Sequence, residues 1–435
     1  MERLLALARR VAGEAEVYYE TSLSTPVSFE SNRLKMLQTK ETRGVALRII
    51  RNGRIGFAST TDFREPQVLV DHAVAVSEFG AEAKFSFPAS AITREVQVYD
   101  PLIEGVSAET LVAMGQSMID KVRQYNPDIL CDAGISKSVG RVRILNSAGG
   151  DVSYEKTVLA GSIHGNLVRG TDMLDIYESK VSCEMVPSYD DIVDHLVRKF
   201  ELAERIADVS TKSMPVVFTP KGVAASLILP LQSAFSGKSV LQGASPIGDK
   251  LNQKVFDERF SVYDDATIDL APGSAVCDDE GVPTRRTTLV ERGVIRSFYY
   301  DLQTAGLAGT RSTGNGYRSL STLPAPSPSS TVFDPGDTPY EAMISDIKEG
   351  IVVEQVMGAW AGNILSGDFS ANVHLGFKVE NGKIVGRVKN TMVAGNVFEM
   401  FRNSVVALGK ESVWVGGTLK VPAMYFHSVS VSSGR

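Results

Sequence analysis

Residues 215–235 read PVVFTPKGVAASLILPLQSAF, and the character of the chain changes at this stretch. Its first part, 215–220, is a short apolar run closed by a proline, which is typical of a buried strand. The rest, 221–235, predicts a helix. Pro230 should kink that helix, because proline removes a backbone donor and clashes with the preceding turn. We therefore place the start of a C-terminal domain, 213–435, at this strand and helix.

Upstream of this stretch, strand-like and helical patterns alternate. Strand-like patterns cover 16–61 and 129–182, and helical spacing of apolar residues covers 2–12, 65–79, 107–125 and 190–209. Asn52-Gly53 lies between two apolar runs and is a strong hairpin signal, because both residues tolerate positive φ. We interpret these patterns as two related α+β units, 1–105 and 106–212.

Downstream, the C-terminal domain is rich in Gly, Ser and Pro, with strand patterns between turns. Hairpin tips are predicted at 291–293 and 380–383. The segment 309–330 is a long-loop candidate, and a loop of that length inside a compact domain is often functional. The predicted fold class is α+β: N-terminal α/β-type units of antiparallel strands and helices, followed by a β-rich C-terminal domain.

Composition and charge exclude several classes of function. The chain has 435 residues, a formal net charge of −6 and no basic run, so we expect no direct binding to nucleic acid. No apolar stretch reaches the roughly 18 residues of a membrane span, and the N-terminus lacks a signal-peptide core, so we expect a cytoplasmic protein. Cys131, Cys183 and Cys277 form no CxxC pair, which predicts reduced, mostly buried thiols.

The histidines form no metal motif. His72, His164, His195, His374 and His427 are far apart, and no HxH, HxxH or HExxH pattern occurs. The nucleophile pattern GxSxG and the glycine-rich phosphate loops are also absent. We therefore expect structural histidines on helices and strands.

The main clusters of acidic residues are Asp190-Asp191, Asp264-Asp265 and Asp278-Asp279-Glu280. Consecutive residues on a strand point to opposite faces, so neighbouring acids rarely share one site. We expect these runs to be solvated turn residues.

Several phrases of the sequence resemble one known family. In chain order they are VFTP (217–220), DDEGVPTRR (278–286), LVERGVI (289–295), YD (300–301), TGNGYR (313–318), GDFS (367–370) and GFKVENG (376–382). Upstream, TKETRGVALR (39–48) fits the N-terminal strand phrase of the same family. In this order they resemble the TldD/PmbA family, also called modulator of DNA gyrase.

The resemblance implies one of two branches. In the TldD branch, a helix with an HExxxH motif and a distant cysteine bind zinc, and the glutamate acts as a general base on zinc-bound water. The resemblance places that helix at 221–235, which contains no His, Glu or Cys, and no cysteine follows Cys277. The chain therefore resembles the PmbA/TldE branch, which lacks the zinc ligands.

That branch implies a non-catalytic subunit without metal or cofactor, since zinc is held only by a TldD-type partner. The partner would be a TldD-type peptidase subunit in a heterodimer, or a second copy in a homodimer, and the substrate would be a peptide. Two alternatives stay open. One is a self-sufficient metallopeptidase with unrecognised ligands such as Asp, Glu and His374. The other is a homodimeric scaffold that binds extended peptides by strand addition.

The resemblance also indicates cleft or interface residues, because the matching phrases of the catalytic branch lie near its active cleft. These candidates are Asn315, Tyr317, Arg318, Asp368, Phe369, Ser370 and His374. It is equally open that these residues only hold the fold together.

Overall fold

The computed structural model describes residues 1–89, 94–361 and 363–434. Two large sheets, with helices packed on them, give an α+β fold with a β-rich C-terminal part, which confirms the predicted fold class. Cys131, Cys183 and Cys277 are buried and form no disulfide. Across the described ranges, no helix has both the length and the apolar character needed to cross a membrane.

The N-terminal sheet has seven antiparallel strands. They are β1 (Glu14–Glu30), β2 (Arg33–Leu37), β3 (Lys40–Arg51), β4 (Arg54–Thr60), β5 (Leu130–Asn146), β6 (Asp151–Arg169) and β7 (Asp172–Ser182). Their order is β4-β3-β1-β5-β6-β7, and β2 pairs with β1. β1 pairs with β5 along most of its length, so strands of both predicted N-terminal units share one sheet. The division at residue 105 stays a prediction.

Five helices accompany this sheet. They are α1 (Glu2–Ala8), α2 (Pro66–Ser77), α3 (Pro101–Glu104), α4 (Ala108–Tyr125) and α5 (Asp190–Leu202). α4 begins at Ser107, whose Oγ accepts the backbone N–H of Thr110 at 3.1 Å, as the sequence predicted. α4 and α5 bury their apolar residues against one face of the sheet. Along β6 the other face is only half-buried over much of its length.

The C-terminal sheet has eleven strands. They are β8 (Lys212–Phe218), β9 (Val262–Asp265), β10 (Arg286–Glu291), β11 (Val294–Ile295), β14 (Thr331–Phe333), β15 (Glu349–Met357), β16 (Asp368–Glu380), β17 (Lys383–Arg387), β18 (Thr391–Asn396), β19 (Val405–Val415) and β20 (Leu419–Ser433). β12 (Gly316–Tyr317) and β13 (Ala325–Pro326) form a separate pair. β8 pairs with both β15 and β20, which closes a ring through β16 and β18.

Six further helices and one 3₁₀ turn lie within the described residues of this part. They are α6 (Pro220–Ser226), α7 (Ile228–Phe235), α8 (Gly237–Leu241), α9 (Leu302–Leu307), α10 (Tyr340–Asp346), α11 (Val397–Asn403) and the turn Ile364–Ser366. α7 and α11 pack with the sheet into an apolar core that contains Phe218, Phe401 and Phe426. This core fixes the position of the helices that follow β8.

The predicted hairpins are confirmed. Asn52-Gly53, Arg292-Gly293 and Asn381-Gly382 all have positive φ and connect adjacent antiparallel strands. Backbone of this type matches the twist of the flanking strands, which is why short turn signals identify such hairpins.

Two predicted helices are shorter than expected. The helix predicted over 190–209 ends at Leu202, and Ile206 beyond it is 52% exposed, so a longer helix would gain no apolar contact there. The helix predicted over 2–12 ends at Ala8, and Val11 is likewise exposed.

Candidate functional site

The helix pair α6–α7 follows β8 directly. Thr219 caps α6, since its Oγ1 accepts the backbone N–H of Gly222 at 3.2 Å. A Cβ on Gly222 would lie 2.2 Å from the carbonyl oxygen of Val353, so α6 lies against β15. The helices are separated at Leu227, three residues before Pro230. Pro230 cannot bond to the carbonyl of Ser226, so the predicted kink is confirmed as a break.

The α6–α7 segment is mostly apolar and buried. Its polar side chains are Lys221, Ser226, Gln232 and Ser233. Leu231 and Phe235 of α7 belong to the core of the C-terminal sheet. They line a cavity of about 10 Å³, which has room for roughly one water molecule.

Asn315 belongs to the long segment 309–330, and its side chain lies in a buried hydrogen-bond network. Its Nδ2 donates to Oδ2 of Asp264 at 2.7 Å and to the carbonyl of Ser327 at 3.1 Å. Thr313 donates to the Asn315 Oδ1 at 2.7 Å. The amide thus ties the two ends of this segment to β9.

Arg318 belongs to a group of four charged side chains between the two sheets, which we call the ionic junction: Glu16, Arg48, Glu280 and Arg318. Arg48 donates to Glu16 at 2.9 Å and to Glu280 at 2.6 Å. The Arg318 Nη2 lies 3.1 Å from Oε1 of Glu16, and its guanidinium stacks 4.3 Å above the ring of Tyr18. All four side chains are at most 3% exposed. Burial of this kind makes every partner in the group important, because removing one leaves a charge unpaired.

Tyr317 lies next to this junction on β12. Its side chain is buried, and its hydroxyl has no hydrogen-bond partner among the described residues. Burial, together with the negative charges of Asp264 and Asp278, raises the pKa of the Tyr317 hydroxyl well above its usual value. The hydroxyl therefore stays protonated at physiological pH.

The expectation of solvated acids is wrong for two of the three runs. Asp264 is 2% exposed, and Asp278, Asp279 and Glu280 are at most 9% exposed. Backbone N–H groups replace water: those of Glu280, Val282 and Gly316 donate to Asp278. Only the Asp190-Asp191 run lies at the surface, with both side chains nearly half exposed.

Burial of these carboxyls raises their pKa values. The pKa of Asp279 rises to about 6, although the Arg318 N–H, which donates to it at 2.8 Å, opposes the rise. Burial and the neighbouring Glu280 raise the pKa of Asp278 well above its usual range. Burial also raises the pKa of Glu280, against the effect of Arg48.

The candidates on β16 lie elsewhere. Asp368 accepts a hydrogen bond from Asn396 at 2.8 Å at the start of the strand. Phe369 is 3% exposed, and its ring centroid lies 6.4 Å from that of Phe218. Ser370 is exposed. The seven candidates are therefore divided between the ionic junction with its neighbours and strand β16, which lies between β15 and β18 in the C-terminal sheet.

His374, also on β16, meets the N-terminal sheet. Its Nε2 lies 3.1 Å from the Asp175 carbonyl and 3.5 Å from the Asp175 Oδ1. His164 binds the same carboxylate, with its Nε2 2.5 Å from Oδ2, and its Nδ1 lies 3.8 Å from Asp132. Asp132, His164 and Asp175 border an open cleft of about 530 Å³ on the half-buried face of the sheet, lined also by Ser28, Gly134, Ser162 and Tyr177. We call it the histidine cleft.

Sequence reasoning missed Asp175, Asp132 and the role of His164 in this cleft. One local signal could have found part of it. A turn at Gly170 connects β6 and β7 and sets His164 opposite Tyr177. The contact with His374 comes from residues almost 200 positions apart, and no local pattern predicts it.

Comparison with known proteins identifies the family. Residues 211–433 match the PmbA/TldA metallopeptidase C-terminal domain, and residues 15–77 match domain 1 of the same group. The chain belongs to the PmbA/TldD metallopeptidase family. The resemblance seen in the sequence phrases is thereby confirmed.

Relatives of the whole length exist within the PmbA/TldD family. An uncharacterized protein of Methanocaldococcus jannaschii is 29% identical over 413 residues, or 93% of this chain and 94% of the relative. A metalloprotease of Methanothermobacter thermautotrophicus is 26% identical over 89% of this chain and 86% of its own. The crystal structure of TldE from Thermococcus kodakarensis superposes with a TM-score of 0.90 at 26% identity and covers 100% of both chains.

A metallopeptidase family implies a metal ion, and α6–α7 does not fit one. The segment offers no His, Cys, Asp or Glu side chain, and such side chains are the usual zinc ligands. Over 1–89, 94–361 and 363–434, no group of three or more His, Cys, Asp and Glu side chains is arranged to hold a metal ion. At the helix that follows β8, this member of the PmbA/TldD family therefore lacks the side chains that usually bind zinc.

Proposed function

We propose that this chain is the non-catalytic subunit of a TldD/TldE-type metallopeptidase complex that degrades or processes peptides in the cytoplasm. One observation carries the proposal: a chain of a metallopeptidase family has an α6–α7 segment without a single zinc-ligating side chain. Catalysis then depends on zinc bound by a TldD-type partner.

The packing of α6–α7 supports this proposal. Leu227 and Ile228, at the break between the helices, are at most 4% exposed, and Leu231 and Phe235 fill the core. A zinc site of the catalytic type keeps one coordination position open to water or substrate. The side chains that α6–α7 buries are apolar except for Ser226, and none of them offers a zinc ligand at which such an opening could form.

The similarity to TldE of Thermococcus kodakarensis also supports it, since the two chains match over their full lengths. A relative of M. thermautotrophicus is named a metalloprotease, which keeps a self-sufficient enzyme as the competing function. The two functions differ in what the isolated chain does: the subunit is inactive alone, whereas the enzyme cleaves peptides alone.

Co-expression tests the proposal directly. The chain is expressed with and without the TldD-type protein of the same genome, with an affinity tag on one subunit only. We expect both subunits to co-elute as one species in gel filtration. We also expect cleavage of an unstructured peptide by the complex but not by this chain alone. A homodimer that ignores the TldD-type protein, or a chain that cleaves peptides unaided, would contradict the proposal.

A matched variant separates the two subunits' contributions. Replacing a zinc-ligating histidine of the TldD-type subunit should abolish cleavage while the complex still forms. His72→Ala in this chain removes an exposed histidine from α2 and should leave cleavage unchanged. Residual cleavage by a complex whose partner has lost its zinc ligand would place catalysis on this chain.

A further inference from the structure

The floor of the histidine cleft is made of small side chains. Ser28, Gly134 and Ser162 lie side by side on β1, β5 and β6 in the register of the sheet. A Cβ on Gly134 would lie 3.0 Å from the Ser162 Oγ, so a larger residue there would crowd the floor. The resulting cleft of about 530 Å³ falls in the size range of small-ligand sites.

One wall of the cleft is polar. Asp132, His164 and Tyr177 form the next row across β5, β6 and β7. Asp132 is 53% exposed and Asp175 is 30% exposed, so water and ligands reach both carboxylates. Tyr177 is 44% exposed beside them, and the Lys221 Nζ lies 5.5 Å from the centroid of its ring.

The carboxylates of this wall have different ion-pair partners from the neighbouring carboxylates of Glu178 and Asp172. Glu178 binds Lys199 and Lys221, and Asp172 binds Arg387 and Lys389. Within the described part of the chain, the basic groups within 4 Å of Asp132 and Asp175 are the imidazoles of His164 and His374 alone. Among the described residues, neither carboxylate of the wall therefore has a lysine or arginine partner.

We propose that the histidine cleft binds a cationic group of an extended peptide, an alkylammonium or guanidinium, at the Asp132 and Asp175 carboxylates beside the His164 imidazole. Charge-assisted hydrogen bonds to two carboxylates favour such a group. The exposed Tyr177 ring packs against the apolar stem of a lysine or arginine side chain. The inference rests on the proposed function for its ligand class, a peptide, and adds which side chain of the peptide this subunit recognises.

The apolar residues at the end of the same face agree with a peptide ligand. Leu130, Val168 and Met173 are each more than half exposed. Met173 is directly opposite Val168, on the strands that carry Asp175 and His164. A peptide whose basic side chain enters the cleft would place its neighbouring residues over this apolar end.

Calorimetric titration of the isolated full-length chain tests the inference, because all lining residues belong to this chain. The probe is a pentapeptide with a central lysine and blocked ends. A second peptide has norleucine in place of lysine, and a third has norleucine with a free N-terminus. We expect the lysine peptide to bind at least about tenfold more tightly than its blocked norleucine analogue, which is about 1.4 kcal/mol. Tight binding of the third peptide instead would assign the cleft to an N-terminal ammonium, the same cationic chemistry from another source.

Two variants test whether the peptide binds in the histidine cleft. Asp132→Asn and Asp175→Asn should each weaken the lysine peptide about tenfold or more. Asp132→Asn is the safer variant for folding, because its side chain is half exposed and can still accept the Ser31 N–H. Glu155→Gln removes a charge from an exposed site on β6 and serves as the matched control without effect.

Equal binding of the lysine and blocked norleucine peptides overturns the inference, as does binding that neither Asn variant changes. No peptide binding, with Zn²⁺ bound instead in a manner that Asp175→Asn abolishes, also overturns it and makes the cleft a metal site. Complex formation with a TldD-type subunit is measured separately by co-elution, so failure of the peptide titration leaves that result independent.

Discussion

At the scale of single residues, several carboxyls of the C-terminal part are buried near the N-terminal sheet. Asp278 and Glu280 are 0% exposed, and Asp279 is 9% exposed. A carboxylate in such a place needs donors to replace water, and backbone N–H groups from the segments around residues 280 and 316 supply them for Asp278. The DDEG phrase is therefore a buried, hydrogen-bonded part of the structure rather than an exposed turn.

The pH dependence of the stability of the Asp279→Asn variant tests whether burial of this carboxyl affects folding. The folded-state pKa of Asp279 is about 6, above the value of about 3.9 for an exposed aspartate. Because the pKa is raised in the folded state, the protonated Asp279 carboxyl contributes fully to stability below about pH 4. This contribution is lost as the pH rises through about 6. The variant mimics the neutral form, so at pH 7.5 it should be more stable than the wild type by up to about 3 kcal/mol. At pH 4 the two should agree.

Urea unfolding at several pH values measures this difference. Asp337→Asn makes the same chemical change at an exposed aspartate and should leave the pH profile unchanged. If Asp279→Asn unfolds with the same pH dependence as the wild type, its carboxyl is not the titrating group.

Single residues also show where sequence reasoning stops. The TGNGYR phrase pointed to Asn315, Tyr317 and Arg318, and the structure places all three beside the buried junction. Their predicted role in a cleft or interface stays a prediction. The acids that hold them were expected in solvent, because a sequence shows runs of acids but not the backbone donors that satisfy them.

At the scale of elements, α6–α7 is the feature on which the proposed function rests. The strand-to-helix order and the kink were predictable from proline and apolar pattern alone. The close approach of α6 to β15 was not, because it joins Gly222 to a strand more than a hundred residues away. Gly222 permits this approach, since any side chain there meets the Val353 carbonyl.

Gly222→Ala should therefore destabilise the protein. Its new Cβ would lie 2.2 Å from a backbone oxygen, so α6 must shift away from β15. We expect a loss of about 1–3 kcal/mol, seen as a lower thermal midpoint. Gly13→Ala is the control, because its Cβ would meet nothing closer than 3.8 Å. Equal midpoints for the two variants would contradict the packing of α6 described above.

At the scale of the whole molecule, the ionic junction connects the two sheets. Glu16 and Arg48 belong to β1 and β3, whereas Glu280 and Arg318 come from the C-terminal part. The sequence predicted α+β units and a β-rich end, because helices and hairpins leave local patterns. It did not predict that β1 pairs with β5 or that the sheets meet through charges, since both depend on residues far apart in the chain.

Arg48→Met should weaken this connection strongly. It leaves Glu280 buried without its guanidinium, and breaking a buried pair in this way costs about 3–5 kcal/mol. The double variant Arg48→Met/Glu280→Gln removes both charges and keeps the Glu16–Arg318 pair. We expect the double variant to unfold at a higher thermal midpoint than Arg48→Met alone. A double variant that is no more stable than Arg48→Met alone would show that the ion pair does not carry the coupling.

In the proposed complex catalysis belongs to the partner, and the zinc content of each subunit tests this assignment. The complex with a TldD-type subunit is purified, its metal is measured by mass spectrometry, and the subunits are then separated and measured again. We expect about one zinc per heterodimer, retained by the partner, and no stoichiometric zinc on this chain. Stoichiometric zinc on the isolated chain, together with peptide cleavage by it, would contradict the account.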